Sequence, residues 1–91
     1  MKTTIVKHRS RNTEPYDTGK LYASIYASCL AVRTPAGEAE ITAKRVCDHV
    51  MMWAHKKPEV TSHDIRMRAA EYLQTYNPAA AYSYKHHDIV H

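Results

Sequence analysis

Lys7, His8 and Arg9 stand consecutively near the start of the chain, and Lys20 follows in what reads as the first turn of a helix. Such a set suits one kind of chemistry, the holding of phosphate. Helix N-termini present unpaired N–H donors and a partial positive charge, and cationic side chains beside them add charge-assisted hydrogen bonds. Glu14 and Asp17 lie between the two cationic groups as acceptors suited to sugar hydroxyls or a base amino group. In a strand, neighbouring side chains point to opposite faces. Lys7 and Arg9 would therefore share one side and His8 the other, unless the strand ends or bulges there.

Other reactive residues fall into no constellation. Thr18-Gly19-Lys20-Leu21 looks like the tail of a P-loop, but Glu14 stands where the first glycine is needed and Leu21 where Ser or Thr would hold magnesium. That excludes a P-loop ATPase. His87 and His91 have the i, i+4 spacing of a ligand pair, with His86 beside them, yet no third ligand is evident and no metal site is expected. His8, His49, His55 and His63 share no spacing. Cys29 and Cys47 form no CxxC, which argues against a zinc ribbon and for two buried free thiols. No nucleophile can be paired with an oriented base, so no enzyme is expected.

The elements that must position these residues follow from the apolar spacing. The chain of 91 residues fits one domain, 1–91. Its beginning, 3–17, reads as a hairpin turning at Ser10-Arg11-Asn12, with Pro15 confining the second strand to an edge. Asp17 is placed to cap a helix over 18–32, whose Leu21, Tyr22, Ile25, Tyr26, Cys29 and Leu30 make one apolar face. Ala39, Ala43, Val46, Val50 and Trp53 make the stripe of a second helix, 35–55. Glu59-Val60 offers a brief third strand. Thr61 and Asp64 form a capping-box variant before a third helix, 62–76, with Ile65, Ala69, Tyr72, Leu73 and Tyr76 inward. Asn77-Pro78 opens a fourth, 78–90. The expected fold class is α+β, a four-helix bundle capped by a small sheet of two or three strands from the N-terminal hairpin.

With these elements in place, the run V-x-x-R-x-x-x-x-E-P-Y-D-x-x-K-L from Val6 to Leu21 resembles the ATP-cone family. ATP-cones are regulatory domains of ribonucleotide reductase large subunits and of the zinc-ribbon repressor of reductase genes. The family opens V-x-K-R-D-G and then P-F-D-x-x-K-I. Val6, Arg9, Glu14, Pro15, Asp17 and Lys20 match, Tyr16 replaces Phe and Leu21 replaces Ile. Val60 to Ile65 is similar to the family's strand and helix start, and Asn77 to Tyr84 to its final helix, so the likeness spans nearly the whole chain.

The resemblance implies a site and a role. Val6, Tyr16 and Leu21 would bed the adenine; Arg9, Lys20 and His8 would meet phosphate oxygens; Glu14 and Asp17 would sit near base or ribose. Ser62 and Arg66 would close the far side, and Mg²⁺ would arrive on the phosphates. His8 stands where the family has lysine, and Ser10-Arg11 where it has Asp-Gly. Lys7 is the residue able to compensate for the lost lysine. The implied function is sensing of ATP or dATP, exerted through oligomerisation or a protein partner.

Two alternatives stay open: a nucleic-acid-binding transcriptional regulator, and a degenerate ATP-cone that keeps only an interaction role. A net charge of +4 suits a nucleotide or a nucleic acid, but the basic residues are scattered and no single helix carries a dense Lys/Arg stripe. Trp53 and the tyrosines read as core, since no basic residues interleave with them in a strand. No apolar run reaches membrane-span length and the N-terminus lacks a signal-peptide core, so no membrane partner and a cytoplasmic location are expected.

Overall fold

In the computed structural model of the chain, residues 5–7, 13–15 and 17–87 are described, with backbone alone for 5–7, 13–15 and His87. The order is β1 (Ile5–Lys7), β2 (Thr13–Pro15), α1 (Thr18–Ala31), α2 (Ala36–Ala54), β3 (Val60–Thr61), α3 (Ser62–Tyr76) and α4 (Pro78–His87). The end of the fourth helix expected over 88–90 lies outside the described residues.

The helices form a closed ring in which each packs on the next and α4 returns to α1. The connections between α1 and α2, and between α3 and α4, are too short for anything but antiparallel neighbours. Ile25, Cys29, Val46, Val50, Ile65 and Leu73 fill the centre. Alanines at 39, 43, 54, 69, 70, 80 and 81 are buried between them, and their small side chains let the backbones approach. Burying one Ile or Leu stabilises by roughly 1.5–3 kcal/mol, so these positions dominate the bundle's stability. Two residues expected inward are outward: Leu30 is 42% exposed and Tyr76 40%. Both sit at the edge of the predicted apolar arc, and the Tyr76 hydroxyl meets His49 of α2 at 2.8 Å while part of its ring stays in solvent.

The expected α+β class is corrected. Over residues 17–86, where side chains are described, 81% of residues are helical, one two-residue strand stands and no sheet forms. The four-helix bundle fits; the β-sheet cap does not. The β element is a run of backbone pairing, β1 antiparallel to β2 and parallel to β3, with Val6 opposite Glu14 and Val60. Strands of two or three residues offer one or two side chains to a face, too few to make an apolar layer. The core therefore belongs to the helices, joined by Val60 alone from the described strand side chains.

The helix ends are locally determined. The side chain of Asp17 accepts from the Gly19 and Lys20 N–H groups at 3.0 and 3.3 Å. A Cβ on Gly19 would meet that same oxygen at 3.1 Å, so the glycine leaves room for the cap. Helix α1 stops in a Schellman arrangement: Thr34 N–H donates to the Cys29 carbonyl and Arg33 N–H to that of Leu30, with Arg33 at φ 64°. Thr61 and Asp64 make the capping box of α3, through Asp64 N–H to Thr61 Oγ1 at 3.0 Å and Thr61 N–H to Asp64 Oδ2 at 3.3 Å. Asn77 caps α4 through the Ala80 N–H at 3.1 Å and donates to Thr34 Oγ1 at 2.9 Å, tying the two short turns together at one end.

Candidate functional site

At the opposite end α1 and α3 begin and α2 and α4 finish. This end gathers the two stretches that the sequence singled out. Asp17 and Lys20 open α1, and Ser62 and Arg66 open α3 one turn apart. The β1–β3 register sets Lys7 opposite Thr61, which brings the first strand's backbone beside the start of α3.

Between the start of α3 and the end of α4 lies a cleft of about 170 Å³ lined by His63, Arg66, Met67, Ala70, Tyr84 and Lys85. Three of these side chains carry or can carry positive charge, and Asp or Glu is absent from the lining. Pockets that enclose a whole small molecule run to about 300–1,000 Å³. This cleft is sized for one end of a ligand, such as a phosphate group. Tyr84 is buried beneath it, whereas His63, Arg66 and Lys85 reach solvent. His63, Tyr84 and Lys85 were not anticipated. His63 and Lys85 sit outside the apolar periodicity, and only the antiparallel contact of α3 with α4 brings them together.

The remaining predicted residues divide by position. Val6 and Lys7 lie in β1 and Glu14 in β2, known there by backbone pairing alone. His8, Arg9 and Tyr16 lie outside the described residues, as does the Ser10-Arg11 turn. Leu21 is buried in the bundle at 2% exposure and packs the core, so it offers no surface to a base. Asp17 is engaged as a cap and Lys20 is exposed on the first turn of α1.

These caps revise how an anion would be held. Asp17 and Asp64 put a carboxylate at the start of α1 and of α3, against the N–H groups that phosphate would otherwise use. A carboxylate there offsets the positive end of the helix dipole. Binding of phosphate at this end must therefore come from side-chain cations. Lys20, Arg66 and Lys85 supply point charges, with Arg66 able to form a bidentate pair. Among the described residues no group of three His, Cys, Asp or Glu could hold a metal ion.

His86, near the C-terminus, is engaged locally. His86 Nδ1 lies 2.9 Å from the Tyr82 carbonyl and its ring stacks on Tyr82 at 4.0 Å. Cys29 and Cys47 are free and buried. Burial pushes the Cys47 thiol from 9.0 up to about 11, helped by Asp48 and opposed by Lys44. Cys29 is raised by burial and then by Glu38. Neither is a nucleophile near neutral pH. No described helix is long and apolar enough to cross a membrane.

Compared with protein-family models, curated proteins and solved structures, the chain matches none.

Proposed function

We propose that this chain is a nucleotide-binding regulatory module of the ATP-cone kind, taking ATP or dATP at the bundle end where α1 and α3 begin. It is not an enzyme on this reading, and it acts in the cytoplasm through self-association or a partner protein. The observation that carries the proposal is the cleft with three cationic side chains, His63, Arg66 and Lys85, at the end of the bundle where α1, with Lys20 in its first turn, also begins. Lys20 belongs to one of the two separate stretches that resemble the family, and Arg66 directly follows the other. Helices starting at the same end is what such a division of the motif requires.

The chemistry follows from the groups present. Lys20 on one side, and Arg66 with Lys85 on the other, would draw a triphosphate between them. Arg9 and His8 would add charge from the hairpin. Leu21, being core, drops out of the adenine bed, which leaves Val6 and Tyr16 for that role. Glu14 would read the base or the ribose. Because the carboxylate of Asp17 is held by Gly19 and Lys20, its part is to fix the start of α1 and so aim Lys20. Regulation is then linkage: a nucleotide that binds one assembly more tightly shifts the population towards it.

Thermal melting with ATP, dATP and GTP, followed by gel filtration of the same samples, tests this. A ligand at about 100 times its Kd adds on the order of 2.7 kcal/mol to the folded state. ATP and dATP should each raise the melting temperature and GTP should not, and the adenine nucleotides should change the elution volume. Equal melting in all three would refute nucleotide sensing.

A further inference from the structure

Two rows of side chains face each other along the seam between α2 and α3. From α2 and the turn after it come Arg45, His49, Trp53 and Lys57, one at every fourth position; from α3 come Arg68, Tyr72 and Tyr76 at the same spacing. Residues four apart share one side of a helix, about 6 Å further along. Because the helices are antiparallel, the rows interleave. The guanidinium of Arg68 lies 4.8 Å from the centre of the Trp53 ring and the ammonium of Lys57 5.6 Å from it. The ring of His49 stacks on Tyr72 at 4.9 Å and on Tyr76 at 6.0 Å, with its Nε2 2.8 Å from the Tyr76 hydroxyl oxygen.

The seam therefore alternates cation and ring across two helices. The interleaving of cations and rings that no single strand supplies is met here across two packed helices. Arg45 and His49 are exposed, Tyr76 is 40% exposed, and Trp53 and Tyr72 are half-buried. Of the acids near these rows, Glu71 lies 3.5 Å from Arg68, Asp48 lies 3.3 Å from Lys44 on the outer side of α2, and Asp64, one turn before Arg68, accepts from the Thr61 N–H. Arg45, Lys57 and Arg68 against Asp64 and Glu71 leave the two rows with one positive charge in excess.

We propose that this strip binds single-stranded nucleic acid, independently of the nucleotide end. Phosphates would meet Arg45, Lys57 and Arg68, and unpaired bases would stack on the exposed parts of Tyr76, Tyr72 and Trp53. Charge complementarity selects a polyanion. The rings select one with accessible base faces, since stacking is available from every unpaired base and from none inside a duplex.

Trp53 is the single tryptophan of the chain, so its fluorescence reports on the strip. The full chain is titrated at low salt with an oligothymidylate of about 15 nucleotides, near the upper site size of one small module. The fluorescence should quench to saturation, and affinity should fall log-linearly with salt as counterions are released. Arg45→Gln with Lys57→Gln should weaken binding by about tenfold or more. Lys44→Gln, on the outer side of α2, should leave it within about twofold. Arg45→Gln alone touches no ring contact and guards against loss of fold as the cause. No quenching, equal affinity for duplex DNA or polyglutamate, or an equal loss from Lys44→Gln would each overturn the proposal.

Discussion

Arg33 holds a φ of 64°, a left-handed conformation that costs an L-residue with a Cβ about 1 kcal/mol. It does so because the Schellman turn after α1 needs that conformation at this position, and glycine is the usual occupant. Arg33→Gly should raise stability by about 1 kcal/mol in urea unfolding, less a few tenths for the looser unfolded chain. Gly37, four residues on, lies inside the first turn of α2 with nothing within 4 Å of a would-be Cβ, so its freedom is not what makes the turn. The turn's geometry comes from where the two helices must meet, which residue types alone do not encode. The cysteines give a second prediction. Both thiols are raised in the folded state, so the folded chain retains protons that the unfolded chain releases first. Stability is therefore full below about pH 9 and declines as pH rises from 9.0 towards the Cys47 value of about 11. Denaturant midpoints across that range should fall, and folded protein at pH 8 should resist alkylation until it is unfolded.

The elements show which signals are local. Asp17, the Thr61–Asp64 box and Asn77 were legible because a cap needs only residues a few positions apart. The helical stripes were legible because residues three and four apart share a face. The sheet was not, since β-rich composition near Thr3 and Thr13 says nothing of how many residues will pair. Here pairing covers two or three residues per strand and builds no layer. Removing a cap should have separable effects. Thr61→Ala should cost about 1 kcal/mol by loss of one capping bond. Asn77→Ala should cost more, roughly 1–2 kcal/mol, because it also removes the bond to Thr34 that ties the α1–α2 turn to the α3–α4 turn. Thermal or urea unfolding of the two variants side by side checks the order.

At the scale of the molecule, packing makes what the linear pattern could not. The cleft of His63, Arg66, Tyr84 and Lys85 needs α3 and α4 antiparallel, and the cation-and-ring seam needs α2 and α3 antiparallel. The candidate site was readable in part: Lys20, Ser62 and Arg66 come to one end, while Leu21 goes to the core, because its place in the apolar stripe outweighs its place in the motif. The account turns on side-chain cations, with Asp17 and Asp64 occupying the helix starts. Its most direct test is titration calorimetry of Mg·ATP into the chain and into Lys20→Ala, with circular dichroism to establish that the variant is folded. The account predicts a saturable, one-site isotherm for the chain and a loss of affinity of about tenfold or more for Lys20→Ala, as expected when one charge-assisted hydrogen bond of about 1.5–3 kcal/mol is removed. No heat of binding to the unaltered chain, or an unchanged affinity in folded Lys20→Ala, would contradict it.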